Sequence, residues 1–369
     1  MIFCAKLVNM RDYKKDFPLI KLKKPGLKKK FDLADYKGRL QYYKAKAGPE
    51  INLLKKYFKK STFIAYFLGK KNAGKGTYTK LIMDIFGSGK IGHISVGDVV
   101  RKAEQELKNQ RSKKQLLDYL GKNYRGYISI DQAINALANR TTKGLLPTEL
   151  IITLIKREID GQEKKTLFID GLPRELDQVS YALFFRDLIN YREDQDLFIN
   201  IDLPESVIEA RMKNRVICPK CHTPRNPKLH PTKKVGYDKN KKEFYLICDN
   251  PQCENVRMVG KEGDELGLEA IRERLNKDQK LMDVIFSLHG IPKILLQNSI
   301  PVETAKQYVD DYEITPEYYY QWDEKSKKVK TLEKPWVVKD DQDRKVYSLL
   351  ASPVAVTLIK QLVKVLGLR

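Results

Sequence analysis

The sequence predicts an α/β fold in which a parallel sheet is flanked by helices, and three observations carry that expectation. Residues 62–68 (TFIAYFL) form a continuous apolar and aromatic run of buried-strand length. A loop rich in glycine and lysine follows at once. Further apolar runs then alternate with helical patterns of about ten residues or more, which is the arrangement of right-handed βαβ units.

In chain order, residues 1–60 come first. They are lysine-rich and broken by Pro18, Pro25 and Pro49, which predicts short helices and turns rather than an independent core. Strands are expected at 62–68, 91–96, 166–172, 196–203 and 345–350. Helices are expected between and after them, at 76–86, 98–108, 147–160, 177–190, 204–215, 268–288 and 353–366. No internal repeat is visible.

Composition narrows the function classes. The 369 residues are 42% hydrophobic and 32% charged, enough apolar material for a sizeable core and too much for a disordered chain. Seventy Lys and Arg against 47 Asp and Glu give +23, which implies a polyanionic partner such as nucleotides, nucleic acid or anionic lipid. Residues 1–60 hold 18 basic and 5 acidic residues, a local +13, so the body is only moderately basic. No apolar run approaches the roughly 18 residues of a membrane helix. Residues 1–10 carry Lys6 inside a short apolar stretch and do not read as a signal peptide. Four of five cysteines cluster between 218 and 253, which favours a metal site over a secreted disulfide framework. A cytoplasmic monomer is expected. The four histidines, His93, His222, His230 and His289, offer little for histidine-based catalysis.

The loop after the first strand reads Gly69-Lys70-Lys71-Asn72-Ala73-Gly74-Lys75-Gly76-Thr77 and fits G-x-x-x-x-G-K. Glycines let backbone N–H groups turn around phosphate oxygens, the next helix adds its positive N-terminus, and Lys75 brings a mobile charge. A plain glycine turn is the alternative, and the strand–loop–helix context argues against it. The fold is therefore expected to be P-loop NTPase-like.

The G-K-G-T ending is accompanied by further segments in a fixed order. His93-Ile94-Ser95-Val96-Gly97-Asp98-Val99-Val100-Arg101 resembles the acceptor-nucleotide segment of adenylate kinases. Asp170-Gly171-Leu172-Pro173-Arg174, with Gln178 four residues on, resembles their D-G-[FY]-P-R…Q segment. Arg211 to Arg215, followed by Cys218-Pro-Lys-Cys221, is similar to the helix entering a zinc-bearing lid, and Arg272-Glu-Arg274-Leu275 to the helix leaving it. The matches span about 62–290 and the final helix, and together they identify an adenylate kinase-like nucleoside monophosphate kinase.

The resemblance implies the reaction ATP + AMP ⇌ 2 ADP with Mg²⁺, an acceptor-binding helical segment at 93–160 and a zinc lid at 216–263. It also implies an added segment at 290–344 before the last strand and helix. Phosphoryl transfer needs two anions held in line, their charge neutralised and water excluded, and arginine forks grip phosphate well. Ser95, Gly97, Arg101, Gly171 and Arg174 would hold the acceptor monophosphate, and Gln178 would read its base. Gly69, Asn72, Ala73, Gly74, Lys75, Gly76 and Thr77 would cradle the donor phosphates, with Arg211 over its adenine. Lys75, Arg215 and Arg274 would surround the transferred group, and Asp170 would orient Mg²⁺ through water. For a single arginine, a solvated helix charge is the alternative; for Asp98, a helix N-cap.

Some positions depart from the family. Lys71 and Asn72 replace Pro-Gly, although Asn tolerates a left-handed backbone. Val96 stands where a Thr is usual, which leaves UMP or CMP as alternative acceptors. A further lid arginine is absent, with Arg257 or Lys261 as stand-ins. The cysteines, Cys218-x₂-Cys221-x₂₆-Cys248-x₄-Cys253, carry a tetrahedral Zn²⁺ signature with a wide second pair. His222 or Asp249 is a substitute ligand in that reading, free thiols are the alternative, and Cys4 stands outside. None of the phosphate-gripping motifs lies in 1–60, so a chain starting near Ser61 is expected to keep its chemistry if it folds. The arm itself reads as a packing or solubilising extension, with an RNA- or ribosome-associated role as the alternative from a different class.

Overall fold

The computed structural model describes residues 17–140, 146–261 and 264–369. Helix α1 (Tyr36–Tyr57) comes first, with Asp35 as its N-cap and non-helical angles at Ala47, two residues before Pro49. Strand β1 (Phe63–Gly69) leads into α2 (Lys75–Phe86), and β2 (Ile91–Ser95) into α3 (Val96–Glu106). The stretch beyond α3 forms α4 (Gln110–Asn123), α5 (Ile130–Ala138) and α6 (Thr148–Asp160). Then come β3 (Thr166–Asp170), α7 (Gln178–Leu188), β4 (Gln195–Asp202) and α8 (Glu205–Lys213).

A cysteine-bearing module follows, with short strands β5 (Val216–Ile217), β6 (Pro224–Arg225), β7 (Lys234–Asp238), β8 (Glu243–Ile247) and β9 (Val259–Gly260). The chain returns through α9 (Arg272–Ser287) and β10 (Lys293–Gln297). The rest comprises β11 (Ser299–Pro301), α10 (Val302–Tyr308), β12 (Pro316–Asp323), β13 (Lys328–Pro335), β14 (Val337–Lys339), β15 (Lys345–Ser348) and α11 (Ala351–Val365).

The central sheet is parallel, in the order β10-β4-β1-β3-β2. Side chains alternate across β1, and that alternation divides the core. Phe63, Ala65 and Phe67 face one apolar layer with α1, α2 and α11, while Ile64, Tyr66 and Leu68 face another with α3, α6, α7 and α9.

Two expectations need correction. The fifth sheet strand is β10, inside the 290–344 stretch that the sequence leaves as an addition. The expected strand near 345–350 does form, as β15, but in a small antiparallel sheet ordered β11-β15-β14. Short apolar runs of either kind look alike in sequence, and pairing with β4 decides which one joins the sheet. The arm is also more than short helices and turns. Leu22, Phe31, Tyr42, Tyr43, Ala47, Ile51 and Leu54 are buried in the main core. Glu50 pairs with Lys360 of α11 at 2.6 Å.

The β12–β13 hairpin reaches the cysteine-bearing module and packs on its β7–β8 hairpin. Trp322 stacks on Tyr237 at 5.0 Å between ring centroids, and Tyr320 meets Phe244 at 5.6 Å. The Tyr318 N–H donates to the Lys228 carbonyl at 2.8 Å. At its root the hairpin is fixed to the body, since the Thr315 N–H donates to the Ser348 carbonyl at 2.8 Å. Among the described residues no helix is long and apolar enough to cross a membrane.

Candidate active site

Between β3 on one side and β4 on the other, β1 ends where the chain connections diverge, and ligands of open parallel sheets bind at that crevice. A Cβ on Gly69 would stand 3.3 Å from Ile201 of β4, and its φ of +141° is one that L side chains rarely adopt, so glycine suits this close approach. The loop turns through left-handed Asn72 (φ 67°) and Gly74 (φ 94°), as the tolerance of Asn leads one to expect. Gly74 caps α2 without a side chain, leaving the first helical N–H groups open to an anion. The Ala73 N–H donates to the Lys70 carbonyl and the Thr77 N–H to Gly74, which closes the loop on itself.

Lys75 is the first residue of α2. Its Nζ donates to the Gly69 carbonyl at 3.0 Å and lies 3.9 Å from Asp170 Oδ1. Burial pushes this ammonium below the ordinary lysine range; Asp170 and Asp278 oppose the shift, and Arg274 and Arg174 add to it. Asp170 arrives because β3 runs parallel to β1 with Phe67 opposite it. Gly171 (φ +93°) then makes room for Arg174, since a Cβ there would sit 2.8 Å from Arg174 Nη2. Burial, and next Arg274, lower the affinity of the Arg174 guanidinium for its proton. Its Nε is buried and has no hydrogen-bond partner among the described residues. An unpaired buried donor is costly, and an anionic oxygen would satisfy it.

Asp278 is the residue that sequence reasoning missed. One carboxylate oxygen accepts the Lys71 N–H at 3.0 Å and the other accepts Arg274 Nε at 2.8 Å, so α9 is tied to the phosphate loop. A proline at position 71 would have no such N–H to offer. The available signal was the spacing of Asp278, one helical turn after Arg274. The space enclosed by Gly69, Lys75, Arg174, Arg274 and Asp278 is about 20 Å³, room for a single water, so Asp278 holds a place suited to an anionic oxygen.

Other expected residues lie elsewhere. Arg215 is gripped by Asp264 through two bonds of 2.5 and 2.6 Å and does not join Lys75. Arg211 lies near Tyr78, and burial lowers its affinity for its proton. Arg101 is exposed and pairs with Asp98 on the same helix. Asp98 is not the N-cap of α3, because Ser95 takes that place and accepts the Asp98 N–H at 3.3 Å. A Cβ on Gly97 would stand 3.3 Å from Arg101 Nη1. Gln178 is buried; it accepts the Arg174 N–H at 2.8 Å and donates to Thr148 Oγ1 at 3.1 Å. Val96 is buried against Gly171. A Cβ on Gly76 would face His93, whose Nε2 is buried with no hydrogen-bond partner among the described residues. Arg257 stacks over Tyr245 at 4.3 Å and faces Asp238 and Glu243. The Lys261 N–H donates to the Arg215 carbonyl at 3.3 Å.

The four clustered cysteines meet, with their Sγ atoms all within 4.8 Å of one another. Cys221 and Cys248 are 3.7 Å apart, and the Cys221 N–H points at Cys218 Sγ at 3.5 Å. A tetrahedron with metal–sulfur bonds of about 2.3 Å has sulfur–sulfur edges of about 3.8 Å, so four thiolates here suit one divalent ion. Asp249 is engaged by the Lys233 N–H at 2.9 Å, and the set is complete without it or His222. Among the described residues, Leu246 and Met258 join three of the cysteines in a small buried cluster, with Val216, Val235 and Val256 packed against it. Cys4 lies outside the described residues.

No protein-family model matches the chain. Among its relatives, adenylate kinase of Thermotoga petrophila is 30% identical over 222 residues, 59% of this chain and 82% of that protein. Adenylate kinase of Clostridium acetobutylicum is 32% identical over 211 residues, 57% of this chain and 78% of that protein. Adenylate kinase of Clostridium novyi is 34% identical over 187 residues, half of this chain and 74% of that protein. A phosphate loop at the centre of a parallel sheet, a lysine and two arginines converging on it, and this extent of similarity lead to one assignment. The chain belongs to the adenylate kinase family of ATP-dependent nucleoside monophosphate kinases.

Proposed function

We propose that the protein transfers the γ-phosphoryl group of ATP to AMP, giving two ADP. The convergence of Lys75, Arg174 and Arg274 at the mouth of the phosphate loop supports this reading most directly. The loop N–H groups orient the donor phosphates, and Lys75 and Arg274 balance the charge that gathers on the transferred group. Arg174 and Arg101 bind the acceptor phosphate, and the unpaired Nε of Arg174 suits that role. Arg215 is assigned to the transferred phosphate, which requires it to exchange Asp264 for the ligand. Arg211 covers the donor base. Asp170 is the carboxylate suited to Mg²⁺ through its water, and the ion supplies charge neutralisation of the triphosphate. In this reading residues 93–160 receive the acceptor, residues 216–263 are the lid, and the stretch between β10 and β15 is the added segment.

A panel of AMP, GMP, UMP, CMP and dTMP with ATP and Mg²⁺ tests the acceptor. AMP is expected to give the highest kcat/KM, and Val96→Thr to raise it by up to about ten-fold, the worth of one hydrogen bond. Val96 cannot hydrogen-bond and Gln178 is already held by Arg174 and Thr148, which is what favours UMP or CMP as the second reading. A clear pyrimidine preference would select it and leave the kinase class intact.

The four sulfurs are assigned to Zn²⁺, which supplements the small core of the module. Metal binding worth roughly 10–16 kcal/mol in small zinc modules is ample for that purpose. Metal analysis is expected to find about one Zn²⁺ per chain, with Cys221→Ser lowering metal content and melting temperature together. An ordered module in metal-free native protein would refute the assignment.

A further inference from the structure

Away from the phosphate site, the N-terminal segment and α10 enclose a groove of about 770 Å³. Six lysines of the 21–30 run line it, and Lys306 adds a seventh from α10. The groove is built into the fold. The Leu22 and Lys23 N–H groups both donate to the Tyr308 carbonyl at 2.8 Å. Beneath it, fully buried Lys46 binds the Leu22 carbonyl at 3.0 Å, Asp310 at 2.8 Å and Glu313 at 2.9 Å.

The charge in the groove is nearly uncompensated. Two acids line it; Asp310 is taken by Lys46, which leaves Asp311. Where the lining lysines have partners, these are neutral: Lys23 bonds the Lys306 carbonyl, Lys24 the Ala45 carbonyl and Lys29 the Gln41 amide oxygen. Among the described residues none of the seven is within salt-bridge distance of a carboxylate, although Lys24 is close enough to Glu50 to help hold it ionised. Tyr312 also lines the groove, and its buried hydroxyl has no hydrogen-bond partner among the described residues. Seven like charges held around one concavity repel each other, and a chain of phosphates would relieve that repulsion.

We propose that this groove binds a single-stranded polynucleotide through its phosphates. A membrane surface is the weaker fit: it calls for apolar side chains to insert, and the lining offers little beyond Leu27 and Pro25. A basic groove that tracks a flexible phosphate backbone is the usual solution for single strands. The site is independent of phosphoryl transfer, because none of its lining residues lies at the phosphate loop.

The test uses the full chain and a fluorescein-labelled oligouridylate of about 20 nucleotides, followed by anisotropy between about 50 and 200 mM salt. Each phosphate contact on a single strand contributes about −0.7 to the slope of log K against log salt, so seven lysines set a limit near −5. Replacing Lys21, Lys28, Lys30 and Lys306 together by Ala is expected to weaken binding by at least about ten-fold and flatten the slope by up to about 3. The same change at Lys325, Lys327, Lys328 and Lys330, on the β12–β13 hairpin, is expected to cost less than about two-fold, and kinase turnover should be unchanged in both variants. Absent binding by the native chain, or equal losses in the two variants, would overturn the proposal. So would groove-dependent binding that is tighter to phosphatidylserine vesicles, or to inorganic polyphosphate, than to the oligonucleotide.

Discussion

Lys75→Met is expected to lower kcat/KM by about 10²–10⁴ while the protein stays folded, and Arg174→Ala to do the same. The size follows from where the charges sit. Both cations are drawn from water into the mouth of the phosphate loop, and burial alone works against their charged forms. Lys75 is steadied by a carbonyl and by Asp170 at 3.9 Å, whereas the Nε of Arg174 has no partner among the described residues. Such preorganised charge stabilises charge that develops during transfer and needs no rearrangement at that moment. Steady-state kinetics with a coupled assay, beside a melting curve for each variant, reads both quantities. Near-normal turnover in either folded variant would remove that residue from the catalytic set.

Lys46→Ala is the change with the largest expected effect on stability, a loss of about 3–5 kcal/mol. Lys46 is fully buried beneath the arm and faces Asp310 and the equally buried Glu313, which also accepts the Tyr42 hydroxyl at 2.6 Å. Removing the ammonium leaves two carboxylates without their counterion and strips the Leu22 carbonyl of its donor. Calorimetry should show a melting temperature lower by roughly 4–6 °C, partly restored when Asp310→Asn and Glu313→Gln are added. A change below about 2 °C would mean that the arm is held by apolar packing alone. Turnover well below the transition should stay close to native, since Lys46 touches none of the phosphate-binding groups. By the same logic, a chain starting near Ser61 would lose a wall of the core, and its failure would be one of folding.

Local chemistry was legible in the sequence and long-range pairing was not. The phosphate loop could be read because glycine positions, the lysine and the adjoining strand and helix are neighbours in the chain. Asn72 could be read because its left-handed backbone is a property of the residue itself. The cysteines could be read from spacing, and the structure brings all four together. Strand β10 was missed because five residues after a Gly-Ile-Pro turn look like many other short runs until β4 pairs with them. The arm was legible as a packing extension, but its long helix and the partner of that helix were not, because α11 lies some 300 residues away. Arg215 and Asp278 show the same limit within the site. Each is committed to a partner that only the folded chain brings near, Asp264 in one case and the Lys71 N–H in the other.

The contact between the β12–β13 hairpin and the cysteine-bearing module bears on how that module would move as the proposed lid. A lid joined to the body only by α8 and α9 has one pair of pivots and swings freely about them. Here the Trp322–Tyr237 stack adds a third attachment, and Thr315 and Trp336 mark where that attachment meets the body. As the proposed lid, the module would therefore have two ways to move. Either the hairpin bends at 315 and 336 and rides with the module, or the rings slide apart on every stroke. The first keeps the aromatic contact and limits the swing to an arc around the hairpin root. The second places a separable apolar contact in series with nucleotide entry, and its lifetime would then govern how quickly product escapes.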